Sequence, residues 1–328
     1  MSAANRQHSI ERKAALALLA VTLVWGLTFV WMKQAIDADD ASVGRDLGLF
    51  TIALFLVLRF GVAALVLALT VPSARRGLNA RVWLGGLWLG GLLFCGFVLQ
   101  MFGLEGVSPA VSAFLTSLYV VFTALLSAAV ARKAPHPVLI LGALLATFGG
   151  AFIGGPPQLT FGLGEWLTVG CALVFAGHIL ATDRITKNVA PMPVTLASFI
   201  VVTAASLPLL VGFGLGAHVG GDEVLQLVTH RTFLIPLLGS SLLATVVAIS
   251  LMNVFQRELD PVRAAILYAI EPVWAALISI GVGSDSFNRW LWIGGGALLA
   301  GNVIAELGPL LARRRAAAPP DRPDREGA

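Results

Sequence analysis

Two ionisable side chains lie deep inside apolar runs. Arg59 sits in TIALFLVLRFGVAALVLALT, where positions 52, 55, 56, 62, 63 and 66, its neighbours on a helix, are all apolar. Glu271 sits in AILYAIEPVWAALISIGVG, directly before Pro272. A charged group at the centre of a bilayer-spanning helix costs roughly 2.5–3.5 kcal/mol on insertion scales, so each needs a partner or a polar cavity. A guanidinium offers forked donors to an anionic group, and a carboxylate takes up a cation or a proton. If both face one cavity, they pair directly or through water when it is empty, and a ligand carrying both signs competes for each. The structural alternative is that Arg59 hydrogen-bonds to carbonyls of a neighbouring helix.

A few polar and aromatic residues share those apolar surroundings. Trp25 lies in LVWGLTFVWMK ahead of Thr28 and Phe29, and Gln100, Tyr119 and Asn253 each stand among apolar residues. Single amides beside aromatic rings suit a small polar metabolite, and they also suit packed helices. Pro272 removes a helical N–H, so a kink beside Glu271 is expected, with the carbonyl near Tyr268 freed to line a cavity. His178 is a candidate for proton coupling alongside Glu271, although a hydrogen-bonded packing role suits it better. Metal-binding, redox and nucleophile motifs such as HExxH, CxxC and Gly-x-Ser-x-Gly do not occur in the sequence, nor does a Walker motif. No catalytic residue, metal site or cofactor is therefore expected, and any pumping must draw on a gradient.

Positioning such groups falls to membrane helices. Apolar residues make up 57% of the 328-residue chain and charged ones 12%, about half the usual charged share. A span needs about 20 apolar residues, and ten segments qualify: 14–36, 47–71, 82–104, 109–131, 137–154, 162–182, 193–216, 232–255, 261–283 and 289–311. Arg59 and Glu271 then lie about 18 and 16 Å from the same side, counting 1.5 Å per residue, near mid-depth. The basic N-terminus resembles a signal peptide, but the apolar run after it is too long and lacks a cleavage site, so it reads as a retained first span. With that terminus in the cytoplasm, seventeen Lys and Arg fall on the inner side against Arg45, Arg231 and Arg289 outside, which places both termini inside the cell, at the inner membrane. The polar tail 312–328 is Pro-rich and expected to be disordered.

The chain also repeats itself. At an offset of 152 residues, Pro109, Ala113, Leu115, Val121, Ala124, Leu125 and Ser127 meet Pro261, Ala265, Leu267, Val273, Ala276, Leu277 and Ser279, and Gly142 and Gly149 meet Gly294 and Gly301. Five spans per copy is an odd number, so the copies, 14–154 and 155–311, enter the membrane from opposite sides. Inverted repeats recur in secondary transporters, where they expose a central site alternately. The fold class is an all-α membrane protein of ten helices in two inverted five-helix repeats around a central cavity.

Small residues recur at four-residue spacing: Gly86 and Gly90; Gly142, Ala146 and Gly150; Gly212 and Gly216; Ala297 and Gly301. Close helix approach is expected at each. Helices 5 and 10 hold matching sets and read as scaffold, or as the contact of a homodimer. Cys95 and Cys171 lie in apolar runs and indicate neither disulfide nor metal. The net charge of +4 is spread over loops, so no nucleic-acid partner is expected. An enzyme acting on lipid-linked substrates would need clustered acids or histidines at one face, and the sequence offers none. A non-transporting partner or sensor would need a signalling segment, for which the tail is short.

Taken together, WGLTF in helix 1, LRF around Arg59, the pair GVSPAVSAFLTSLYVVFTALL and LDPVRAAILYAIEPVWAALIS, and the closing IGGGALLAGNV make residues 14–311 resemble the EamA-type permeases of the drug/metabolite transporter superfamily. The resemblance implies ten helices in inverted repeats, with helices 1–4 and 6–9 around a cavity and 5 and 10 outside. It also implies export of amino acids or related amphipathic metabolites, with drug or toxic-compound efflux as the alternative. The chain departs from the family at Val120, where a proline is common, and after helix 4, where Arg132-Lys133 replaces an acidic residue. A reporter fused after Glu223 is expected to behave as external; cytoplasmic behaviour there would overturn the orientation.

Overall fold

Proline and short polar residues set where the helices begin. Pro109, Pro137 and Pro191 each occupy the first position of a helix, where their missing N–H costs no hydrogen bond. Asn79 Oδ1 accepts from Val82 N at 3.1 Å and Ser108 Oγ accepts from Val111 N at 3.3 Å, satisfying donors that a helix start leaves open. The computed structural model describes the chain apart from residues 1–2, 133, 135–136, 151, 153–155, 157–160, 260–263, 265–266 and 318–328. Asp260 and Pro261, expected to open the ninth span, lie outside the described residues, as does the end of the polar tail.

The described residues are helical in this order: α1 (Ala3–Ile36), α2 (Ala38–Val43), α3 (Leu49–Thr70), α4 (Pro72–Arg75), α5 (Ala80–Gly106), α6 (Pro109–Thr116), α7 (Tyr119–Val130), α8 (Pro137–Gly150), α9 (Leu163–Thr186), α10 (Pro191–Gly216), α11 (Gly221–Thr229) and α12 (Arg231–Gly239). A π-helical stretch, Ser240–Val247, leads into α13 (Ala248–Phe255), followed by helices Glu271–Gly281 and Arg289–Ala317. Among the described residues, seven helical stretches are long and apolar enough to cross a membrane. Their outward faces carry Leu65, Leu69, Leu84, Trp88, Leu163 and Leu215, and the shorter α8 carries Leu144 and Phe148, all exposed. Such an apolar exterior suits lipid, not water. Two of the expected spans are shorter as described, at Pro137–Gly150 and Glu271–Gly281, and the last helix continues to Ala317, into the segment expected to be disordered.

Helix α1 packs along the Glu271 helix and along α12 and α13. Helix α5 packs on α9 and α10, α3 packs on α10, and α8 packs on the last helix. The last pair sets aside small residues for one another. A Cβ on Gly149 would stand 2.4 Å from Leu298 N and 2.5 Å from Gly294 O; one on Gly301 would stand 2.4 Å from Ala146 N and 2.6 Å from Gly142 O. Gly86 and Gly90 give α5 the same closeness to Ala197 and Ser198 of α10. Gly212 and Gly216 do not follow the expectation, since a Cβ at either meets nothing within 4 Å.

At one end of the bundle, α2 packs against α11, and Arg45 Nη2 lies 2.9 Å from Glu223 Oε1. The buried Asp39 carboxylate accepts from Leu47 N and Thr51 Oγ1, both at 2.8 Å, and so fixes the 37–48 connection. Gly301→Leu is expected to cut the yield of folded protein several-fold in a detergent size-exclusion profile, because overpacking displaces backbone, whereas Gly212→Leu should leave it unchanged.

Candidate functional site

Helical spacing gathers the site. Trp25, Thr28, Phe29 and Met32 fall on one face of α1, and Leu93, Phe97 and Gln100 on one face of α5, because residues three and four apart lie above one another. With Arg59, Thr116, Tyr119, Phe175, His178, Ile179, Ile249, Met252, Tyr268 and Glu271 they line a cavity of about 80 Å³. Six of the seven residues singled out as substrate-binding therefore share one cavity: Arg59, Glu271, Trp25, Gln100, Tyr119 and Tyr268. His178 joins them, with Nδ1 3.5 Å from Thr182 Oγ1 and no partner for Nε2 among the described residues. It lines the cavity, and its bond to Thr182 within the same helix also suits the packing role.

Asn253 is the exception. It is absent from the cavity wall and donates through Nδ2 to Thr195 Oγ1 at 2.6 Å, between α13 and α10. Its neighbour Met252 lines the cavity instead. One residue is 100° of helix rotation, and the π-helical stretch just upstream adds a residue to its turns, so apolar periodicity alone does not give the inward face of α13.

Arg59 is fully buried, yet among the described residues no carboxylate comes within ion-pair distance of it. Its Nε donates to Thr245 Oγ1 at 2.8 Å and its Nη1 to Met32 Sδ at 3.4 Å, while Nη2 has no partner. The guanidinium lies 4.4 Å from the ring centre of Phe97, where the π face attracts a cation. Among the described residues, neither direct pairing with Glu271 nor a neighbouring carbonyl holds it.

Glu271 accepts from Tyr119 Oη at 3.1 Å and is the first residue of its helix. A helix start carries partial positive charge, which favours an anionic side chain there. The expected kink takes the form of an interruption at Ala269-Ile270, so Pro272 falls in a first turn, where it breaks no bond. The first copy is interrupted at the same place without a proline: Ser117-Leu118 separates α6 from α7, which begins at Tyr119. There, Leu118 N donates to Leu115 O, and Asn302 Nδ2 of the last helix donates to the carbonyl and the hydroxyl of Ser117, at 3.1 and 3.0 Å. Trp25 lies against Tyr268, next to the second interruption, with ring centres 5.6 Å apart, and its Nε1 donates to Ala244 O. Tyr268 Oη donates to Gln256 Oε1, and Gln256 Nε2 to Ile179 O.

Sequence reading missed Met32, Phe97, Thr116, Phe175 and Thr245. The first four stand three or four residues from Trp25 or Phe29, Gln100, Tyr119 and His178, a signal that was there to be used. Thr245 carried none.

The EamA-like transporter family matches the chain twice, over residues 12–155 and 162–306. The chain belongs to the EamA-like transporter family. It is similar to an uncharacterized transporter of Archaeoglobus fulgidus, 26% identical over 294 residues that cover 90% of this chain and 86% of that protein. In fold it is similar to a protein of known crystal structure, with a TM-score of 0.58 and 21% identity over 93% of this chain and 99% of the other. The transporter is thus a multi-pass helical membrane protein built of two repeats of one family unit, and its cavity lies where both repeats contribute side chains.

Proposed function

We propose that the transporter is a secondary permease that carries small metabolites bearing both an anionic and a cationic group, such as amino acids or related amphipathic compounds, by alternating access. The observation that carries this reading is that Arg59 and Glu271 line one buried cavity without an ion pair between them. Arg59 would take the anionic group and Glu271 the cationic one, with Trp25, Phe97 and Tyr268 against the apolar part. A volume of about 80 Å³ favours a small solute over a bulky drug, so efflux of toxic compounds is the second reading. Export is the direction implied by the resemblance. Glu271 and His178 are the groups available to carry a proton.

The same reading takes the fold as ten spans in two inverted repeats, with both termini on the cytoplasmic side of the inner membrane. It is supported by contacts that map onto themselves at the 152-residue offset. Gly149 meets Gly294, its counterpart Gly301 meets Gly142, and Tyr119 bonds to Glu271, its own counterpart. Reciprocal contacts of this kind are what a two-fold axis between halves produces. Such contacts can persist when the halves exchange conformations, while contacts without a counterpart must change. The small faces of α8 and the last helix are spent on each other, so a homodimer through them would use the outward face carrying Leu144 and Phe148.

Counterflow in proteoliposomes against amino acids, small amines and dyes tests the function, with wild type and Glu271→Gln side by side. Saturable exchange of zwitterions is expected, reduced about tenfold or more in the variant, as for loss of a charged hydrogen-bond partner. Exchange of dyes alone, or of zwitterions undiminished in the variant, would contradict the reading.

A further inference from the structure

We infer that Thr245 is a positioning residue for the anion-binding end of the transport site, holding Arg59 so that its charge stays available to a carboxylate; this rests on the reading of Arg59 as a substrate ligand. Three observations meet here. First, Thr245 lies in the π-helical stretch Ser240–Val247, and its hydroxyl donates to Ser240 O, five residues back, at 2.8 Å. A hydroxyl has one proton, so its oxygen can only accept from Arg59 Nε, which it does at 2.8 Å. The wide turn therefore fixes both the place and the polarity of the contact.

Second, among the described residues each group touching the guanidinium is neutral: the Thr245 hydroxyl, the Met32 thioether and the rings of Phe97 and Phe60. A carboxylate in any of these places would hold the arginine equally well and cancel its charge. Neutral partners orient it and leave the charge uncompensated.

Third, Nη2 is buried without a partner among the described residues, on a residue that lines the cavity. With Nε and one hydrogen of Nη1 committed, Nη2 is the nitrogen whose two donors are both left over. An anionic oxygen in the cavity would complete the set, whereas a neutral amide offers a weaker acceptor.

The test uses the purified full-length chain in proteoliposomes, with L-leucine and L-leucinamide as probes of equal shape that differ in the anionic group. Wild type is expected to prefer L-leucine. Thr245→Val should raise the half-saturation concentration for L-leucine about tenfold or more, with little change in maximal rate, and erase the preference. Thr245→Ser, which keeps the hydroxyl, should restore both. Thr245→Ala repeats the test if the valine variant elutes as aggregate. Unchanged half-saturation and preference in Thr245→Val or Thr245→Ala, alongside their loss in Arg59→Lys, would overturn the role of Thr245 alone. No preference in wild type, no exchange of either compound, or an Arg59→Lys variant indistinguishable from wild type would overturn the reading of Arg59 as well.

Discussion

A charge buried in a membrane protein must be held by something, and what holds Arg59 decides what the rest of the bundle is for. A carboxylate partner would make it a structural ion pair, and carbonyl partners would make it a helix clamp. The guanidinium instead rests on a hydroxyl, a thioether and an aromatic face, contacts that orient without neutralising. Among the described residues the desolvation is offset by weak neutral contacts alone, and on the proposed reading the remaining imbalance is the source of affinity for an anionic solute. The π-helical stretch supplies the Thr245 hydroxyl and α5 supplies the Phe97 ring.

The second charge is treated in a parallel way by different means. Glu271 stands at a helix start and accepts one hydrogen bond from Tyr119. Both residues open a half-helix after an interruption, one copy using Pro272 and the other using Asn302 clasping Ser117. That the same break arises from two chemistries indicates that the break itself, more than the proline, is what the fold requires. It places two helix starts together at the centre of the bundle.

Much of this was legible in the sequence, and for identifiable reasons. Arg59 and Glu271 stood out because hydrocarbon leaves no neutral reason for a charge, and the 152-residue echo was visible because seven identities between 109–127 and 261–279 recur at one offset without a gap. Trp25, Gln100 and Tyr119 followed as polar or aromatic breaks in apolar runs, and Tyr268 from the carbonyl expected to be freed by Pro272. Asn253 met the same criterion yet lies off the cavity, because a change in helical pitch is invisible to apolar periodicity where the pattern is apolar all round. Thr245 and Asn302 went unnoticed because their importance lies in contacts more than 180 residues away in the chain. The small faces of α8 and the last helix were read correctly as contact surfaces, and the sequence left open that each is the other's partner. Gly212 and Gly216 share that spacing but face nothing within reach of a Cβ, so spacing alone does not distinguish a packed stripe from an open one.

The idea that one cavity is reached in turn from the two sides of the membrane has a direct test. With Cys95 and Cys171 replaced, a single cysteine at Thr28, on the cavity wall, would be treated with a membrane-impermeant maleimide in right-side-out and in inside-out vesicles. Alternating access predicts labelling in both preparations, slowed in both by a transported solute. Labelling from one side only, whatever the solute, would mean that the cavity is a fixed pocket and not a path.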